Sequence, residues 1–180
     1  ARILFNSGAD KIVVNTLLLN NFPLVEKLCL EFGSQAIVGS IDFKSEKEGL
    51  YSIYAESGSF QLMENAKDFF GRLNPEFVGE WYLNSIDRDG TGQGFDFGVL
   101  NQLPKGWGSP IILAGGAGNF KHLIEGLQCE YVNAVATAHL FNFVGDGLMK
   151  AREKILEIDG SLIVDWALNF EKPNPPQSNL

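Results

Sequence analysis

Asp42, in the run "AIVGSIDF" (Ala36–Phe43), has the type and position that suit acid–base chemistry. A carboxylate at the end of a strand can take a proton from a reacting group held above it, or return one. Alternate residues of an extended strand share a face, so Val38, Ser40 and Asp42 look one way and Ile37 and Ile41 the other. The apolar pair suits covering helices, which leaves Asp42 facing the catalytic mouth of a parallel sheet. The competing reading is an Asp that caps a helix or bonds a loop. "NSIDRDGTGQG" (Asn84–Gly94) offers a different chemistry. A glycine-rich turn from strand to helix presents backbone N–H groups that can surround an anion. Gly90, Thr91 and Gly92 would cradle a phosphate, and Asp89 would hold hydroxyls or move a proton. "AGGAGNF" (Ala114–Phe120), with Gly115 and Gly116, is a second such turn, and Ala138–His139 a third. One turn of this kind is ordinary turn chemistry, whereas several at strand ends point to an anionic ligand.

The elements that must position these residues alternate between strand and helix. "KIVVNT" (Lys11–Thr16), "AIVGSIDF", "EWYLNSID" (Glu80–Asp87), "PIILAGGA" (Pro110–Ala117) and "YVNAVATA" (Tyr131–Ala138) read as five core strands. "PLVEKLCLEFG" (Pro23–Gly33), with Pro near its start and Gly at its end, "MENAKDFFGRL" (Met63–Leu73), "NFKHLIEGLQ" (Asn119–Gln128) and "DGLMKAREKILEI" (Asp146–Ile158) read as helices. "GLYSIYAESG" (Gly49–Gly58) is an extended excursion. Repeated β–α units mean a parallel sheet, and every special turn falls at a strand's C-terminal end, where (β/α)8 barrels keep their chemistry. The Rossmann alternative is weaker, because "GGAGNF" is not GxGxxG. Five strands are fewer than eight, and "ARILFNSGAD" reads as the end of a helix. The expectation is the C-terminal portion of a (β/α)8 TIM barrel over residues 1–160, with 161–180 a fraying extension. Such a portion leaves two sheet edges that promote association.

Lys11 and Glu80 begin strands and share parity with Asn15 and Asn84. They face the axis at the barrel's other end, either as a charged ring that gates something or as two solvated strand starts. His122 is expected on the surface, His139 is either structural or a ligand contact, and Phe69, Phe70 and Phe77 belong to the core. The 180-residue chain carries a net charge of −8 without a Lys/Arg run, which argues against nucleic-acid binding. Cys29 and Cys129 are far apart, sit in the expected helices and form no CxxC, and only two His are present, so no metal site is expected. No stretch is apolar enough to span a bilayer and no signal peptide is visible, which gives a cytoplasmic expectation.

"GADKIVVNT", "FGSQAIVGSID", "LNSIDRDGT", "GGAG" and "LFNF" together resemble the cyclase subunit of imidazole glycerol phosphate synthase, in order across Gly8–Phe143. The resemblance implies a (β/α)8 barrel without cofactor. It implies ammonia taken from a glutaminase partner at the barrel bottom and added to a small bisphosphorylated ribulosyl substrate, with closure of an imidazole ring for histidine biosynthesis. It makes Asp42 similar to one of two catalytic carboxylates, the other belonging to a first strand that this chain lacks. Asn15, Thr16, Ser57, Gly58, Asn84, Asp89, Gly90, Thr91, Ala114, Gly115, Gly116, Ala138 and His139 then fall at substrate or phosphate positions. Lys11 and Glu80 match the ammonia entrance, and Asp10 an interface residue. Asn84, Ala114 and His139 depart from the Thr, Ser and Ser usual there. The ending "LFNFVGDGLMKAREKI", together with "LNSIDRDGTGQG", resembles a paralogue group that supplies ammonia for amidination of a surface-polysaccharide sugar. A non-catalytic barrel fragment that packs on a partner is a third reading. Isomerase relatives of the same barrel are disfavoured by "GADK" with Glu80.

Overall fold

The computed structural model describes residues 1–138 and 147–162. Its strands are β1 (Ile12–Val14), β2 (Ile37–Ser45), β3 (Tyr51–Ala55), β4 (Phe60–Asn65), β5 (Glu80–Ser85), β6 (Ile111–Ala114) and β7 (Ala134–Ala136). Its α-helices are α1 (Arg2–Asn6), α2 (Thr16–Asn20), α3 (Phe22–Phe32), α4 (Ala66–Arg72), α5 (Phe120–Leu127) and α6 (Gly147–Asp159). Among the described residues the strands form one seven-stranded sheet. Within it β1, β2, β5, β6 and β7 run parallel in that order. These are the five strands expected from the sequence, and the mostly parallel sheet with intervening helices is the arrangement of part of a (β/α)8 barrel.

β3 and β4 are the extended excursion, and they go further than expected. β1 pairs with Ile37–Gly39 of β2, whereas β3 pairs antiparallel with Asp42–Ser45 and β4 with β3. The hairpin thus continues the sheet beyond the end of β1. The helix expected over Met63–Leu73 starts later, because Met63–Asn65 complete β4. Half-buried Leu62 and Glu64 alternate there with exposed Gln61 and Met63, the period of a strand. Asn65 then stops the strand by accepting from the Asp68 N–H (2.9 Å), which caps α4. The expected strand over Tyr131–Ala138 shortens to β7. Asn133 joins the β6 ladder with its side chain, Oδ1 accepting from the Ile111 N–H at 2.9 Å. Residues Phe97–Gln102 form a 3-10 helix, started by Asp96 accepting from the Gly98 N–H at 3.0 Å. Cys129 falls just beyond α5 rather than within a helix.

The strands bury alternate residues in the core. Ile37, Ile41 and Phe43 of β2, Trp81 and Leu83 of β5 and Leu113 of β6 are fully buried or nearly so. They belong to one cluster with Val25 of α3, Phe69 and Phe70 of α4, Leu123 and Ile124 of α5, and Ile155 of α6. Full burial of each such side chain contributes about 1.5–3 kcal/mol. Gly39 stands level with Trp81, and a Cβ there would lie 3.0 Å from the indole, so this glycine makes room for the largest core residue. Phe77 is half-buried, edge-on to Phe22.

Candidate active site at the C-terminal ends of the parallel strands

The register that buries Ile41 and Leu83 sets Asp42 level with Asn84 on the other face. Asn84 Nδ2 donates to Asp42 Oδ1 at 3.0 Å. Asn15, just after β1, donates from Nδ2 to Asp42 Oδ2 at 3.3 Å and to the Ser40 carbonyl at 3.1 Å. Each carboxylate oxygen therefore holds one neutral amide and keeps a lone pair for a further partner. The amides fix the carboxylate's direction without cancelling its charge. Tyr82 stands one step below on the same face; burial pushes its phenol pKa up, and the Asp89 and Asp42 carboxylates add to that.

Thr16 Oγ1 bonds to Asn15 Oδ1 (3.4 Å) and accepts from the Glu56 N–H (3.4 Å), tying the turn after β3 to the end of β1. In that turn Glu56 (φ 51°) and Ser57 (φ 58°) are left-handed, followed by Gly58 at φ 82°. Left-handed conformations at residues other than Gly cost on the order of 1–3 kcal/mol and cluster at functional sites. Ser57 and Gly58 are thereby brought over Ile86, whose Cδ1 lies 3.0 Å from where a Gly58 Cβ would be.

The two glycine-rich turns hold each other. The Gly94 N–H donates to the Gly116 carbonyl at 2.8 Å. A Cβ on Gly115 would lie 2.3 Å from the Ser85 carbonyl oxygen, and one on Gly116 would lie 2.2 Å from that of Gly94. These two glycines are thus spent on close approach between loops, beyond any contact with an anion. Thr91 also turns inward on its own loop, donating to the Arg88 carbonyl at 2.7 Å. Gly90 and the exposed Asp89 remain open toward the mouth. His122, expected on the surface, is half-buried and accepts the Gly118 N–H on Nδ1 at 3.1 Å, which clamps the second turn to α5.

The remaining charges of "DRD" are structural anchors. Asp87 accepts from Ser85 Oγ (2.8 Å) and from the Ser45 N–H (3.3 Å). Arg88 donates to the Phe95 carbonyl (2.9 Å), and its Nε lies 3.6 Å from Asp96 Oδ2. Tyr51 of β3 donates its hydroxyl to Asp96 Oδ1 at 2.8 Å. Burial pushes the Tyr51 phenol up to about 12, helped by the bonded Asp96 carboxylate. The folded state therefore holds a proton that the unfolded phenol gives up near pH 10. Stability from Tyr51 is complete below about pH 10 and is lost as pH rises to about 12. Denaturation midpoints across that window should fall for the native sequence and fall less for Tyr51→Phe; equal slopes would show that this phenol does not couple to folding.

At the opposite ends of the strands Lys11 Nζ is ion-paired with Glu80 Oε1. The two residues that share parity with Asn15 and Asn84 are thus bonded to each other, both partly exposed. Asp10 is exposed beside them. A cavity of about 690 Å³ opens there too, between residues 100–111 and 130–133, remote from Asp42. Ala114 lies level with Asn84, and Ala138 is exposed beyond β7. His139 and residues 163–180 lie outside the described residues. Among the described residues no group of three or more His, Cys, Asp or Glu could hold a metal ion. No helix among them is long and apolar enough to cross a membrane.

The family described as histidine biosynthesis protein matches residues 1–145. The chain belongs to this family. It is 41% identical over 168 residues to a provisionally named imidazole glycerol phosphate synthase subunit hisF2 of Parasynechococcus marenigrum, covering 93% of this chain and 62% of that one. It is 37% identical over 153 residues to the imidazole glycerol phosphate synthase subunit HisF of Chlorobaculum parvum, covering 85% and 61%. A second provisionally named hisF2 subunit, from Pseudomonas aeruginosa, is 36% identical over 145 residues, covering 81% and 58%. The chain thus spans about three fifths of the length of the curated relatives it matches.

Within the histidine biosynthesis protein fold, Asn15, Thr16, Asp42, Ser57, Gly58, Asn84, Asp89 and Ala114 gather at one end, and Asp10, Lys11 and Glu80 at the other. Sequence reasoning missed Tyr82, although its parity with Glu80 and Asn84 was visible. It also missed the Tyr51–Asp96–Arg88 network, whose members lie 45 and 8 residues apart, with no local spacing to reveal them.

Proposed function

We propose that the protein is a cyclase subunit of an imidazole glycerol phosphate synthase. In this reading it adds glutamine-derived ammonia to a bisphosphorylated ribulosyl aminoimidazole carboxamide. Carbon–nitrogen cleavage and ring closure then release imidazole glycerol phosphate and the aminoimidazole carboxamide ribonucleotide. The observation that carries this reading is the Asp42 carboxylate, held by two neutral amides on the same face as the Lys11–Glu80 pair. Asp42 moves the protons of addition and ring closure. Asp89, Gly90 and the Ser57–Gly58 turn hold the substrate, with Gly115 and Gly116 shaping the phosphate end. Ammonia enters past Lys11 and Glu80 from a glutaminase seated at that end, with Asp10 at its edge. The relatives are named as subunits of this synthase, which supports the reading and the existence of a partner.

Ala114 favours a second reading, supply of ammonia for amidination of a surface-polysaccharide sugar. It places a methyl group at the head of the Gly115–Gly116 turn, where a hydroxyl would bond a phosphate. A lost hydrogen bond to a charged group is worth roughly 1.5–3 kcal/mol, about tenfold or more in affinity. The intact protein should form product from the bisphosphate and an ammonium salt. By calorimetry it should bind that bisphosphate about tenfold more weakly than a cyclase with serine at this position, and Ala114→Ser should recover part of the difference. Absence of ammonium-dependent product overturns the cyclase reading. Affinity equal to that of the serine-bearing cyclase removes the physical support for the sugar reading.

A further inference from the structure

The inner face of the sheet has three layers. Val13, Val38 and Glu80 form the lowest, with Lys11 two residues before Val13 and ion-paired to Glu80, and Asp42, Asn84 and Ala114 form the highest. Between them the register sets Ser40, Tyr82 and Ile112 side by side, with Ala134 beyond. Successive layers are two residues apart, so the Lys11–Glu80 pair and the Asp42 carboxylate are separated by roughly 13 Å. Ammonia cannot touch both, and a polar molecule crossing such a distance without a hydrogen-bond partner is disfavoured. Tyr82 is the largest side chain of the middle layer, with small Ser40 and Ala134 in the same layer. Its hydroxyl carries one donor and can accept from a second group.

We propose that Tyr82 is the transit residue of this face, its hydroxyl handing ammonia from the Lys11–Glu80 end to Asp42 and its ring closing the route to larger solutes. The inference rests on the ammonia reading above. Burial and the nearby Asp89 and Asp42 carboxylates keep the phenol protonated, so it meets ammonia as a neutral partner. A phenolate would instead attract and hold ammonium.

The experiment compares two nitrogen sources in the intact protein bound to a glutaminase. Tyr82→Phe keeps the ring and removes the hydroxyl, and Tyr82→Leu opens the layer. Turnover driven by saturating ammonium salt, which reaches Asp42 from the open mouth, should stay within about twofold of the native value for both variants, since neither removes a group at Asp42. Product formed per glutamine hydrolysed should fall about three- to tenfold for Tyr82→Phe, the worth of one neutral hydrogen bond. It should fall at least as far for Tyr82→Leu. Equal losses with both nitrogen sources would make Tyr82 a packing residue and overturn the inference, as would unchanged coupling in both variants. A native protein without ammonium-driven turnover would overturn the ammonia reading itself and this inference with it.

Discussion

Asp42→Asn lowers turnover by about 10²–10⁴-fold while substrate affinity changes much less: that is the result expected if Asp42 moves protons in the reaction. The substitution keeps the size and the planar shape of the side chain. It removes the charge and one acceptor. Asn84 Nδ2 and Asn15 Nδ2 now reach different oxygens of the carboxylate. After substitution one of them meets an amide NH2 instead, so a single donor is left without its partner. Both residues are half-buried, and water can serve that donor, so the fold should lose about 1 kcal/mol or less. Steady-state kinetics with ammonium as the nitrogen source, paired with thermal melting, separates the two effects. A variant that melts like the native protein and turns over at a near-native rate would take Asp42 out of the mechanism.

Asp42 was legible in the sequence because a strand has a period of two. Once Ile37 and Ile41 were assigned to the core, Asp42 had to face the other way, and its bonds to Asn15 and Asn84 agree with that. The parallel strands were legible for the same reason. The end of β4 was not, since Met63–Asn65 carries no core residue, and only the Asn65 cap marks where the helix begins. The glycine turns were half legible. Their positive φ values were foreseeable, but the contact of Gly115 with Ser85 and of Gly116 with Gly94 brings together residues over 20 positions apart. Local pattern cannot distinguish a glycine that admits an anion from one that admits another loop. Lys11 and Glu80 show a similar limit: parity gave their face, whereas their pairing depends on how β1, β2 and β5 curve.

Arg88 is the sharpest instance of this limit, and it yields the largest expected change in stability. An arginine between two aspartates in a glycine-rich loop invites the reading of a phosphate ligand. Its guanidinium is instead turned toward the Phe95 carbonyl and Asp96. Asp96 is 4% exposed, and its Oδ2 has no hydrogen-bond donor, so the Arg88 charge 3.6 Å away is its compensation. Removing one partner of a buried pair costs about 3–5 kcal/mol, because the other charge is left unsupported. The Arg88 side chain is 34% exposed, so solvent already screens part of the interaction, and about 2–3 kcal/mol is expected for Arg88→Met. That corresponds to a fall of roughly 4–12 °C in melting temperature for a chain of this size. Asp96→Asn added to Arg88→Met should restore most of the loss, since an Asn oxygen still accepts from the Tyr51 hydroxyl and the Gly98 N–H without needing a cation. The double variant therefore reads the coupling between the two residues, which a single substitution cannot. If Arg88 served a phosphate instead, Arg88→Met would melt like the native protein and lose affinity for the bisphosphate. Asp96→Asn would then add its own cost rather than relieve one. Urea midpoints for the four proteins decide between these outcomes, with an unchanged m value showing that the same cooperative unit is being compared.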